Sequence, residues 1–172
     1  MALQVWAVDG PSGSGKTVFA DALVARLHGE GRDVALVRAD DFATWDAPAS
    51  WWPRLATGVL RPLGQGRPGG YRRVEWRRPS EHAPAVPRPG AWVDVPVPEV
   101  LVLEGVTTAR RAMAGRLDRA FWVQWGDEAT RLERAVARDG EACRAHLERW
   151  QRFERGWFAV DDTRSRCERA ES

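Results

Sequence analysis

Eight consecutive residues constrain this chain more than any others: Gly10-Pro11-Ser12-Gly13-Ser14-Gly15-Lys16-Thr17. They fit the pattern G-x-x-x-x-G-K-[ST]. Just before them, residues 3–8 form an apolar run long enough for one buried strand. After them Val18, Phe19, Ala22, Leu23 and Leu27 recur at three- and four-residue steps, the period of an amphipathic helix. A glycine-rich turn between a strand and a helix N-terminus can wrap its backbone N–H groups around an anion, helped by the positive end of the helix dipole. Basic residues sharpen the point. Of 26 Lys and Arg, the single lysine is Lys16, inside the pattern.

The pattern is that of a P-loop, and it predicts a nucleotide phosphate site. Gly10, Ser12, Gly13, Ser14, Gly15, Lys16 and Thr17 are expected to hold the phosphates of ATP. Lys16 would reach the outer phosphates, and the Thr17 hydroxyl would bind Mg²⁺. Composition narrows the setting. At 172 residues the chain is expected to be one domain, residues 1–172. A charged fraction of 29% beside 44% hydrophobic residues is that of a soluble globular protein. No apolar run reaches the length of a membrane span and the first residues carry no leader pattern, so a cytoplasmic protein with no membrane partner is expected. A net charge of +2 gives no argument for a nucleic-acid partner. Cys143 and Cys167 lack metal or disulfide spacing and are expected to be free thiols.

Strand and helix patterns alternate along the chain. Residues 34–37 read as a second buried strand. Trp51, Leu55, Val59 and Leu63 recur every four residues and predict a helix packing one face. Residues 64–98 are rich in Gly and Pro and read as an excursion from the sheet, with a hairpin-like flap built from 71–76 and 92–95. A third strand is expected at 100–103, a short basic helix at 109–117, a fourth strand at 120–125 and a helix at 129–138. A break at Asp139-Gly140 precedes a last helix at 142–158, whose apolar stripe is Leu147, Trp150, Phe153 and Trp157. The tail from residue 161 carries no strand signal. The alternation predicts an α/β fold of three layers, a mostly parallel sheet covered by helices on both faces.

Polar groups at the expected strand ends complete a chemistry. Ligands bind beyond the C-terminal ends of strands in open parallel sheets. Asp40 or Asp41 follows the second strand, and Glu104 ends the third. Arg131, Arg134 and Arg138 stand at i, i+3 and i+7 on one helical face. Phosphoryl transfer needs a phosphate clamp, a metal, a group acting on the acceptor, and positive charge around the moving phosphoryl. The loop, Thr17 with Glu104, the Asp pair and the arginines are candidates for these four parts.

The chain resembles the uridine kinase and phosphoribulokinase family of P-loop kinases. The resemblance rests on residues 10–17, on Asp40-Asp41-Phe42, on Leu103-Glu104-Gly105, and on Arg131-Leu132-x-Arg134-x-x-x-Arg138-Asp139, in the family's order. It implies that Asp40 activates an acceptor hydroxyl and that Arg134 and Arg138 are lid arginines that close over the phosphates, with a short lid at about 138–142. It also implies that Glu75, in Tyr71-Arg72-Arg73-Val74-Glu75-Trp76, is a ligand of sugar hydroxyls. The closing C-terminal strand usual in the family is not visible. Tyr71 and Trp76 offer flat surfaces for a ring, so the acceptor is expected to be small, hydroxylated and nucleoside-like, held by Asp41, Tyr71, Glu75 and Trp76. The competing expectation is a nucleotide-binding protein or ATPase that phosphorylates no acceptor and acts by interaction. A GTPase switch is excluded, because its Asn-Lys-x-Asp signature needs a second lysine.

Overall fold

The computed structural model describes residues 3–77, 80 and 83–170. Strand β1 (Gln4–Asp9) leads through the glycine loop into helix α1 (Lys16–Gly29), and β2 (Val34–Arg38) follows. Helix α2 (Trp52–Leu55) runs through a π-helical segment (Ala56–Leu60) into α3 (Arg61–Gly64). Next come the flap strands β3 (Gly69–Arg77) and β4 (Val86–Val95), then β5 (Val100–Glu104) and β6 (Arg119–Trp122). Helices α4 (Glu128–Asp139) and α5 (Arg144–Asp161) and a two-residue strand β7 (Glu168–Arg169) end the chain.

The main sheet has the order β2-β5-β1-β6-β7, and every pairing in it is parallel. Both its faces are buried, which explains why β5 reads as an unbroken apolar run. Val100 and Val102 face α1 with Trp6, Val8, Leu23 and Leu27. Leu101 and Leu103 face the other way, toward Phe42, Trp51, Leu55, Val59, Leu63 and Tyr71. The period of two thus divides one strand between two cores, with helices on both sides. A third cluster joins Ala85 of the flap region to Ala135, Val136, Cys143 and Leu147 of the α4–α5 corner.

The stripe at every fourth residue explains the π-helical segment. In a regular α-helix a step of four drifts by about 40°, so three steps carry the stripe well off one face. One wider π-turn takes up that drift. Trp51, Leu55, Val59 and Leu63 all end in the same core, none more than 3% exposed. Gly58 lies inside the π-segment, where an added Cβ would come 2.6 Å from the Gly70 carbonyl oxygen of β3. Helix and flap therefore meet backbone to backbone.

Several expectations are corrected. No helix spans 109–117; the chain makes one 3₁₀ turn at Arg111–Met113. The Ala109 N–H is committed to Asp9 and Arg110 is turned inward, so the basic face that suggested a helix does not exist. β6 ends at Trp122 rather than 125, because the chain turns toward Gly126, at φ 72°, and the cap of α4. Asp127 is that cap, accepting the Thr130 N–H at 2.7 Å. The flap strands are longer than expected, and β4 contains Pro87 and Pro89. A two-stranded ribbon has free outer edges, where missing N–H donors cost little. The tail holds a strand after all: β7 pairs with β6 through Glu168 and Arg169. Both are exposed, so no apolar pattern marked them. Among the described residues no helix is long and apolar enough to cross a membrane.

The helix–flap contact makes two glycines respond oppositely. Alanine in an open helix position is favoured over glycine by about 1 kcal/mol. Gly156 of α5 has nothing among the described residues within 4 Å of an added Cβ. Gly156→Ala should therefore raise stability by roughly 0.5–1 kcal/mol in urea unfolding, whereas Gly58→Ala should lower it by more than about 1 kcal/mol. Stabilisation by Gly58→Ala would refute the close contact.

Candidate active site

Parallel pairing puts the strand ends on one edge. Val8 and Arg38 flank Glu104 in register, and Asp9 lies beside Trp122. The loop of residues 10–15 leaves this edge and enters α1. Gly10, Gly13 and Gly15 sit at φ 144°, 73° and 91°. At Gly10 the need for glycine is absolute: an added Cβ would lie 2.0 Å from the Val123 carbonyl oxygen. Lys16 is 7% exposed and donates to the Pro11 carbonyl at 2.8 Å. It lies back across the loop, the one ammonium among the buried carboxylates Asp9, Glu104 and Glu154, each of whose pKa it lowers. Thr17 is exposed in the first turn of α1.

Asp9 was not anticipated. It is fully buried, and its carboxylate takes N–H bonds from Gly10 (2.7 Å), Thr107 (3.0 Å) and Ala109 (2.8 Å). One side chain thereby joins the start of the glycine loop to the turn after β5. That turn carries Thr107 at φ 71°, an outlier for a β-branched residue that costs roughly 1–3 kcal/mol. Arg110 holds it from the other side, donating to the Thr107 carbonyl at 3.0 Å and to its hydroxyl at 2.8 Å. The Arg110 guanidinium is enclosed by Trp52 (4.1 Å), Trp157 (5.2 Å) and Trp51 (5.3 Å). An acid ending an apolar strand was the available signal for Asp9.

Glu104 is 4% exposed and paired with Arg38 Nη1 at 3.3 Å, while Arg38 Nη2 reaches Asp21 at 2.6 Å. Burial raises the Glu104 carboxyl and the nearby Asp40 adds to it, against Lys16 and Arg38. Asp40 is exposed. Arg138 lies within electrostatic reach of it and is held by Asp139 at 2.6 Å. Asp41 is committed elsewhere, accepting the Tyr71 hydroxyl at 2.6 Å. Burial, then that bond, pushes the Tyr71 hydroxyl far above its ordinary range.

The arginine face of α4 covers the loop. Arg131 is buried, donates to the Gly126 carbonyl at 2.6 Å, and its own backbone closes on Gly13. Arg134 Nη1 reaches the Gly13 carbonyl at 3.1 Å, with its guanidinium 4.3 Å from the Trp125 ring. The segment expected as a lid forms the corner between α4 and α5. Arg144 pairs with both Glu133 and Glu141, and Cys143 is fully buried.

Edge, loop and α4 therefore bring together Lys16, Thr17, Asp40, Glu104, Arg134 and Arg138. The expected acceptor residues divide. Tyr71 joins Asp41 but is buried against Phe42 at 4.4 Å, so its ring presents no open face. Glu75 is spent on the flap itself, with the Ala91 N–H at 3.3 Å and Arg88 at 3.4 Å. Trp76 packs edge-on to Trp45 at 4.8 Å, and Trp45 in turn meets His146 and Trp150 of α5. The stripe of α5 is also revised. Its buried residues are Leu147, Gln151 and Glu154, while Phe153 and Trp157 border an open outer groove of about 630 Å³. Gln151 and Glu154 face polar backbone, the Glu128 carbonyl and Ser12, which an apolar residue would leave unpaired.

The donor set suits a nucleotide with a divalent cation: a helix N-terminus behind a glycine loop, an ammonium, a hydroxyl and a strand-end carboxylate. Among the described residues no cluster of three or more His, Cys, Asp or Glu could hold a metal without such a ligand.

No family model and no curated protein sequence matches the chain. Solved structures do. A possible uridine kinase from Bacillus stearothermophilus aligns over 99% of this chain and 90% of its own, at TM-score 0.64 and 16% identity. A candidate fructose transport system kinase from a Silicibacter species aligns over 91% and 86%, at TM-score 0.59 and 19% identity. D-glycerate 3-kinase from Cryptococcus neoformans aligns over 93% and 78%, at TM-score 0.50 and 14% identity.

Asp9 gives the site a pH signature. Burial raises its carboxyl from 3.8 to about 6, against its three N–H bonds and Lys16. A raised acid pKa favours the protonated folded chain. The contribution is fully present below the unfolded value and is lost as pH rises through about 6. Relative to Asp9→Asn, wild-type stability should fall by about 1–3 kcal/mol between pH 4 and 7. Parallel denaturation curves for the two proteins across that range would refute the buried, titrating carboxyl. The chain has the α/β fold of these P-loop kinase-like structures, with Asp9, Arg38 and Glu104 at the C-terminal edge of the sheet.

Proposed function

We propose that this protein is a cytoplasmic, ATP-dependent small-molecule kinase that transfers the γ-phosphoryl group to a hydroxyl of a nucleoside-like acceptor. The observation that carries the reading is the convergence of Lys16, Thr17, Glu104 and Asp40 at one sheet edge beneath Arg134 and Arg138. When bound, ATP and Mg²⁺ would supply the transferable group and much of its charge neutralisation. Residues 10–17 would hold the phosphates, with Lys16 turning from the Pro11 carbonyl to the outer ones. Thr17 and Glu104 would hold the metal directly or through water. Asp40 would accept the acceptor's proton, since the Asp41 carboxylate is occupied by Tyr71. Arg134 and Arg138 would place charge where it develops in the transition state. The names of the solved neighbours agree on kinase chemistry and differ on the acceptor. The nucleoside class rests on the sequence resemblance.

Asp40→Asn should reduce turnover by ~10²–10⁴ with ATP affinity nearly unchanged. A larger loss in Asp41→Asn would move the base to Asp41. Lys16→Ala should abolish transfer. The acceptor is read from ADP release with ribonucleosides, deoxyribonucleosides, glycerate and simple sugars. Best turnover is expected with a ribonucleoside. ADP release that no acceptor stimulates would instead indicate an ATPase.

A further inference from the structure

Glu154 is a buried charge that this chemistry leaves unused. It lies in the middle of α5 and is 2% exposed. Both its oxygens go to one residue of the glycine loop: Oε2 accepts the Ser12 N–H at 2.9 Å and Oε1 accepts the Ser12 hydroxyl. Burial raises its carboxyl, while Lys16, Ser12 and Arg131 lower it. A carboxylate taken out of water costs several kcal/mol unless paired, and an apolar side chain here would carry no such cost. The return is geometric. The loop leaves β1 at Gly10 and must reach α1 at Lys16 through glycines, which restrain its path little. The Asp9 carboxylate holds its start, Arg134 holds Gly13, and Glu154 holds Ser12 between them.

One face of α5 carries this contact with others. His146, Trp150, Glu154, Trp157 and Asp161 follow steps of four, four, three and four. His146 and Trp150 meet Trp45, Glu154 meets Ser12, Trp157 meets Arg110, and Asp161 accepts the Arg111 N–H at 2.9 Å. The helix thus spans the chain beyond Asp40-Asp41, the phosphate loop and the turn after Glu104.

We propose that Glu154 is a positioning residue, which holds the Ser12 amide and hydroxyl and so keeps residues 10–17 in the shape that receives a nucleotide's phosphates. This rests on the reading of those residues as a nucleotide site. The test uses the full chain as wild type, Glu154→Ala and Glu154→Gln. Hydrogen exchange without nucleotide reports the loop, and ATP·Mg²⁺ affinity with kcat and KM reports its use. Glu154→Ala should speed exchange of the Ser12 amide about tenfold, leave the amides of β1 and β5 unchanged, and raise the KM for ATP about tenfold with a smaller change in kcat. Glu154→Gln keeps the reach and a carbonyl oxygen for the Ser12 N–H, so it should recover to within about threefold of wild type. Wild-type loop exchange in both variants overturns the proposal. So does exchange that quickens equally throughout the sheet, which would mark a residue of the general fold. If the loop responds as expected but wild type binds no ATP·Mg²⁺, the nucleotide reading fails and the hold of Glu154 on the loop stands.

Discussion

The Asp9 carboxylate, sealed from water, is the contact on which the rest of the site depends. It satisfies the Gly10, Thr107 and Ala109 N–H groups together. Those donors belong to two crossings of the same sheet edge, the exits of β1 and β5. Each would be an unpaired buried group without Asp9, at about 1–3 kcal/mol apiece. The bond set also forces Thr107 into a left-handed conformation that threonine avoids, and Arg110 in its tryptophan enclosure keeps it there. Strain in the turn is matched by hydrogen bonds on both of its sides.

Around that contact the charges alternate. Asp9, Glu104 and Glu154 face Lys16, and Arg38, Arg131 and Arg134 stand behind or above them. An isolated carboxylate at this depth would take up a proton. Here each has backbone or hydroxyl donors or a guanidinium of its own, which leaves Lys16 available. Among the described residues the lysine donates only to the Pro11 carbonyl, a neutral partner that a phosphate oxygen can replace.

The flap is less an open wall than part of the molecule's third core. Ala85 and Trp76 pack against the α4–α5 corner and Trp45, and Gly58 brings the π-segment onto β3. Movement of the flap would therefore draw on α5. The same helix touches the phosphate loop through Glu154 and the turn after β5 through Trp157. Flap and glycine loop thus share one helix.

The sequence alone determined the glycine loop, the parallel α/β sheet and the strand-end acids, because each is a local pattern. Spacing of glycines, unbroken apolar runs and the i, i+3, i+7 arginines are written in neighbouring residues. The every-fourth-residue stripe was visible too, although the π-turn that keeps it on one face was not. Tertiary structure decided whatever depends on partners far along the chain. It assigned Asp41 to Tyr71 and left Asp40 exposed, turned Arg110 inward where a basic helix was expected, and tied Glu75 to the flap's own backbone. It gave the polar tail a place on the sheet through two exposed residues. Asp9 and Glu154 belong to this second group. In the sequence they are single acids inside apolar patterns, and their use appears only when Thr107, Ala109 and Ser12 arrive within hydrogen-bond distance. Burial of a charge is set by what surrounds it, and that is a property of the folded chain.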